Sequence, residues 1–222
     1  MDGMDRRRGR RGSGRSLFAP APDICQGQRR TGVRADLGMP LRKPLSKDNT
    51  DTRPMDDFFH PGERQLQRAW QTEAIWDEAR RQRLLWREIP EELHARIEGA
   101  PFFFLATSDA AGRCDCSFKG GGPGIVRMLG SRRFAFPDFD GNGAFMSLGN
   151  MLQNPQVGCL FIDFNDGARL RVNGRATLLA GDEAARLFPG RQRAVLVDIE
   201  EVVPNCAQHI PRLIAAGGTT AP

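Results

Sequence analysis

Two hydrophobic periods divide the chain. Over 61–87, apolar residues at Leu66, Ala69, Trp70, Ile75, Ala79 and Leu84 recur at roughly helical spacing with charged residues between them, which predicts an amphipathic helix with room for a break. A short second helix is expected over 90–99, because proline is tolerated in a first turn and glycine favours the position after the last. After Pro101 the period changes. PFFFLATS reads as a buried strand, DAAG (109–112) as a turn, and RCDCSFK as an alternating strand that completes a hairpin. GGGPG (120–124) is then a loop, IVRML a strand, GSR a turn and RFAFP a strand. A glycine-broken turn leads into a helix that stops at Asn154 and Pro155. VGCLFIDF, the tight turn NDG (165–167) and ARLRVNGRATLL form a second hairpin, followed by a short helix over 182–188 and a last strand, RAVLVDIEEVV. About seven strands with hairpin connections predict a mainly β fold with flanking helices, built as a small antiparallel barrel.

Charge divides the chain differently. Before Met55 there are 13 Lys/Arg against 6 Asp/Glu, and from Met55 onward 19 against 21, so the net charge of +5 belongs to the first 54 residues. That stretch holds RRRGRRGSGR, several prolines and almost no apolar period, the composition of an extension that stays disordered. Any nucleic-acid binding would be confined to it, because the domain expected over 55–222 is close to neutral. The five cysteines form no C-x-x-C pair and the three histidines are scattered, which argues against zinc. The sequence has no run of about 20 apolar residues and no secretory h-region, and the expected setting is reducing and cytoplasmic.

The candidate chemistry centres on 134–155, FAFPDFDGNGAFMSLGNMLQNP. A helix start carries unpartnered N–H groups and the positive end of the helix dipole, so it suits an anion where small residues allow approach; Gly141 and Gly143 supply that access. DFDGNG imitates the first half of a calcium loop, but Gly149 stands where the twelfth-position glutamate is needed. KGGGPG lacks the GK[ST] of a phosphate loop. Ser117 and Ser147 lack a G-x-S-x-G setting, so nucleophilic catalysis has no support. Cys114 and Cys116, two apart on one strand face, read as packing residues, as do Trp70, Trp76 and Trp86. Arg169 and Arg171 share a strand face, and Lys119 ends the first hairpin; such cations suit a phosphate near a helix start and equally suit a solvated outer face.

The order of these motifs, FFFLATSDAAGRCDCSFKGG, then RFAFPDFDGNGAFMSLGNMLQNPQVGCLFIDF, then ARLRVNGRATLL, resembles the pyridoxamine 5'-phosphate oxidase-like family of FMN-binding split-barrel proteins. FHPGERQLQ and VVPNCAQHI are similar to segments in its uncharacterised branches. The resemblance implies a six-stranded antiparallel split β-barrel that forms a homodimer, with FMN in a cleft at the subunit interface and a small molecule as substrate. Carried over by position, the FMN contacts would come from Ser117 and Lys119, from Ser147 and Asn150 on the helix, from Arg169 and Arg171, and from Asn142 in a loop that is longer here. The implied activity is that of an FMN-dependent oxidoreductase. The alternatives are pyridoxamine 5'-phosphate oxidase itself, or a flavin, haem or deazaflavin binder with little turnover. This chain departs from the oxidases in having Met146 and Ser147 where they carry an Arg-Lys pair, Cys114 where they carry an arginine, and no arginine- and tryptophan-containing C-terminal segment.

Overall fold

The computed structural model of the chain describes residues 58–205, 209–211 and 213, so the extension expected over 1–54 lies outside the described residues. The helix expected over 61–87 is three pieces: α1 (Pro61–Ala69), a 3-10 turn (Glu73–Ile75) and α2 (Glu78–Leu84). The break falls at Gln71, whose φ of 55° is left-handed and ends a right-handed helix. His60 caps α1: its ring Nδ1 accepts the Gly62 and Glu63 N–H groups, while the Glu63 carboxylate accepts the His60 N–H. The expected inward apolar stripe of α1 is not buried, since Leu66 and Trp70 are 61% and 77% exposed. Its partly covered side carries Arg64 and Gln67 instead, so Trp70 is no packing residue. Trp76 packs edge-on to Phe59 and Trp86 packs against the core, as expected of them.

The seven strands are β1 (Phe102–Ser108), β2 (Cys114–Gly120), β3 (Arg127–Met128), β4 (Arg133–Pro137), β5 (Gln156–Ile162), β6 (Arg169–Ala180) and β7 (Arg193–Asn205). They form one sheet in the order β2-β1-β5-β6-β7-β4-β3 with every neighbour antiparallel. The mainly β class with flanking helices is as the sequence predicts, and the described residues form the seven strands that the hairpin pattern gives. β3 is only two residues because Ile125 and Val126, read as strand, are buried in the core outside the ladder. The remaining helices are α3 (His94–Glu98), α4 (Met146–Gln153) and α5 (Asp182–Leu187).

Although β2 and β3 at the sheet ends do not pair, the sheet rolls up. Phe103 on β1 meets Phe136 on β4 with ring centroids 5.0 Å apart and Phe161 on β5 at 5.2 Å, and Phe134 meets Phe161 at 6.1 Å. These rings, with Leu105, Val172, Val195, Val197 and Val202, fill one core, so side-chain packing rather than hydrogen bonding closes the split barrel. Gly124 N–H donates to Glu98 O at 2.7 Å and Met128 N–H to the Glu98 carboxylate at 2.9 Å, tying α3 to the β3 segment. The long pair β6 and β7 carries a bulge between Asn173 and Gly174. A Cβ on Gly174 would stand 2.2 Å from the Asp198 carbonyl oxygen, so only glycine lets the two backbones approach there.

Candidate functional site

The entry to α4 is set by its loop. Arg193 on β7 donates to Asp138 at 2.9 Å and to Asp140 at 2.7 Å, and its guanidinium lies 5.1 Å from the centroid of the Phe145 ring. The hydrogen bond that it donates to Asp138, then that to Asp140, holds the Arg193 pKa above its ordinary value. The two aspartates of the calcium-like sequence thus hold an arginine. Phe145, the residue before the helix, takes φ 49° and ψ 33°, a strained backbone for a bulky residue, and no side chain caps the helix start. The first N–H groups of α4 are therefore left for another acceptor. Asn142 stays in the exposed loop, its side-chain oxygen accepting the Ala144 N–H at 2.9 Å.

Residues paired across antiparallel strands point to the same face, and successive residues alternate. Lys119 pairs with Phe103, Ser117 with Leu105 and Asp115 with Thr107, so β2 offers Lys119, Ser117 and Asp115 to the face that holds the core. α4 packs across that face. Ser147 Oγ lies 3.1 Å from Ser117 Oγ and donates to Asp115 Oδ2 at 3.3 Å, and Asn150 donates to Thr107 Oγ1 at 3.0 Å. One turn further on, Asn154 donates to Ser108 at 2.8 Å. The helix thus runs down β1 and β2 away from Ser117, and Lys119 stands beyond its positive end. Among the described residues the buried polar side chains are Thr107 and Ser147, and both belong to this cluster.

Arg169 and Arg171 lie on the other face. Leu170 and Val172, which alternate with them, are buried in the core, and Arg171 pairs across β5 with Leu160 rather than with a core residue. Their face carries an aromatic cluster in which Phe102 meets Phe118 at 5.2 Å and Phe164 at 6.1 Å, and Phe104 meets Phe118 at 5.9 Å. Phe118 is 61% exposed. One chain therefore unites Ser117, Ser147, Asn150 and Lys119 on one side of the sheet, and leaves Arg169 and Arg171 on the other and Asn142 in the loop. Cys114 and Cys116 also face outward and are exposed, which corrects their reading as packing residues: β2 is an end strand whose outer face no element covers among the described residues. Cys159, on the core face of β5, is fully buried, and burial pushes its thiol up to about 12.

Asp115 and Thr107 are members of the cluster that the sequence reading missed. The signal for Asp115 was present: it alternates with Ser117 and Lys119 and must share their face. A phosphorylated flavin fits this arrangement through the uncapped helix start and Lys119, with Asp115 as the group of unsuitable charge.

A family profile described as pyridoxamine 5'-phosphate oxidase matches residues 89–204, the span that holds all seven strands up to the last residue of β7 together with α3, α4 and α5. Among solved structures, the chain is similar to HupZ from Group A Streptococcus, with 16% identity over 52% of this chain and 94% of that chain and a TM-score of 0.42. HutZ, a heme storage protein from Vibrio cholerae, is 18% identical over 54% of this chain and 97% of that one, with a TM-score of 0.36. A pyridoxamine 5'-phosphate oxidase-related, FMN-binding protein from Nostoc punctiforme is 14% identical over 50% of this chain and 77% of that one, again with a TM-score of 0.36. No curated protein matches. More than half of the chain matches the profile, and its residues build the antiparallel split barrel and α4, so the chain belongs to the pyridoxamine 5'-phosphate oxidase family.

Proposed function

We propose that this chain binds FMN and works as an oxidoreductase on a small molecule, as a homodimer with the cofactor at the subunit interface. The observation that supports this best is the uncapped start of α4, where Ser117 and the buried Ser147 meet 3.1 Å apart. In this reading the Ser147 region and the free N–H groups of α4 hold the phosphate, and Lys119 balances its charge beyond the helix end. Asn150, fixed by its bond to Thr107, keeps the helix in place on the sheet. The family relation supports flavin as the ligand. Bound FMN would supply hydride or electron transfer at its isoalloxazine ring, while the chain orients it and excludes water.

A second copy completes the site in this reading. The face with Phe102, Phe104, Phe118 and Phe164 is apolar and half open, as an interface core is before it is covered. Covering it with a second copy would bring Arg169 and Arg171 of that copy towards the cleft, supplying the cations that Met146 and Ser147 do not. The full chain, purified, should be yellow and release FMN on denaturation; colourless protein that takes up no FMN overturns the proposal. A Soret band in the same spectrum would put haem in the barrel instead. Reduction of bound flavin by NAD(P)H separates an oxidoreductase from a flavin store. Oxygen uptake with pyridoxamine 5'-phosphate tests for the vitamin reaction.

A further inference from the structure

The hydrogen bonds around Ser147 have a direction. Ser147 Oγ donates to Asp115 Oδ2 at 3.3 Å, and its single proton is then spent. The 3.1 Å bond between Ser147 and Ser117 must in that case use the Ser117 proton. Both hydroxyl protons run along the chain Ser117 to Ser147 to Asp115, and the lone pairs are what remains for a ligand. A phosphate is itself an acceptor and would meet acceptors there. The charge balance points the same way. The Asp115 carboxylate sits beside the first turn of α4, where it already answers the positive end of the helix dipole. Arg193, which reaches the entry loop from β7, is committed to Asp138 and Asp140. Arg169 and Arg171 face the other side of the sheet. On β2 itself, Lys119 shares the face of Ser117 and Asp115 and is the cation that strand offers there.

We propose that Asp115 is a specificity-determining residue that lowers the preference of this site for phosphorylated over unphosphorylated flavin. The inference rests on the flavin reading above and adds to it the residue that sets how much the phosphate contributes. Replacing the carboxylate by a neutral group removes a like charge and weakens the acceptor that holds the Ser147 proton, so that the hydroxyls turn to an anionic ligand more readily.

The test is a pair of fluorescence titrations of the full chain, with FMN and with riboflavin, for the native protein, Asp115→Asn and Asp115→Ser. Both variants should bind FMN about tenfold more tightly, the order of one unfavourable charge interaction in a half-buried site, with riboflavin binding unchanged to within about twofold. Asp115→Glu keeps the charge and should keep the native ratio of the two affinities. Thermal unfolding identifies a variant that fails to fold, and the other neutral variant then carries the comparison. FMN affinity that stays the same or falls in folded neutral variants overturns the proposal, as does an equal shift for both ligands. A chain that binds neither flavin, with or without Asp115, defeats the flavin reading itself.

Discussion

Gly174 and Cys159 show how much a single position can fix. At Gly174 the β6 and β7 backbones approach so closely that any side chain would press on the Asp198 carbonyl. Gly174→Ala should destabilise the domain by about 2–3 kcal/mol, the usual cost of forcing an extra group into a packed site, and lower the Tm by roughly 5–10 °C in a calorimetric scan. An unchanged Tm would mean that the bulge adjusts freely. The glycine is plain in the sequence, yet its reason is not, because the clash involves a carbonyl that lies on another strand. Cys159 was legible in the same partial way: its place in an apolar run says buried, while Cys114 and Cys116 read as buried too and are not. Alternation tells which residues share a face, and it does not tell which face will be covered.

Among the elements, the hairpins were legible because their turns are chemically explicit. In the DAAG turn, the Asp109 carboxylate accepts the Ala111 and Arg113 N–H groups and the Arg113 side chain, all at 2.9 Å or less. The Arg113 backbone and then its side chain hold the Asp109 pKa below its ordinary value of 3.8. The turn therefore gains from the ionised acid above 3.8 and loses that gain as pH falls through the lowered value. In an NMR titration the Ala111 and Arg113 amide signals should stay fixed from neutrality to about pH 4 and move together below it. Movement of both near pH 6 would contradict this. The break in the first helix was less legible. Nothing in the local pattern makes Gln71 adopt a left-handed backbone or leaves Arg64 and Gln67 partly covered while Trp70 is exposed. α4 stands between these cases. Its ends were plain from Gly143 and Pro155, but the strained entry at Phe145 needs Arg193 from the far end of the chain.

For the whole molecule, the order of hairpins was enough to give the class, whereas the split of the candidate residues between two faces was not. Lys119 and Arg171 look equivalent as strand cations; only the pairing of Lys119 with Phe103 and of Arg171 with Leu160 sets them apart. If the outer face joins two copies, Phe118→Asp should place a charge at the centre of that contact. The expected result is a monomer by light scattering, with FMN binding lost at the same time and thermal stability of the isolated fold little changed. A variant that remains dimeric and keeps its flavin would move the interface elsewhere.

The strand that carries Asp115, Ser117 and Lys119 is also the end strand of the sheet, paired on one side only among the described residues. Such a strand is the part of a barrel that frays at least cost, since half of its backbone groups already face away from any ladder. A ligand seated there would act as a substitute neighbour, holding β2 between itself and β1. Occupancy and local order would then be one equilibrium: the apo protein breathes at the seam of the barrel, and filling the site closes it.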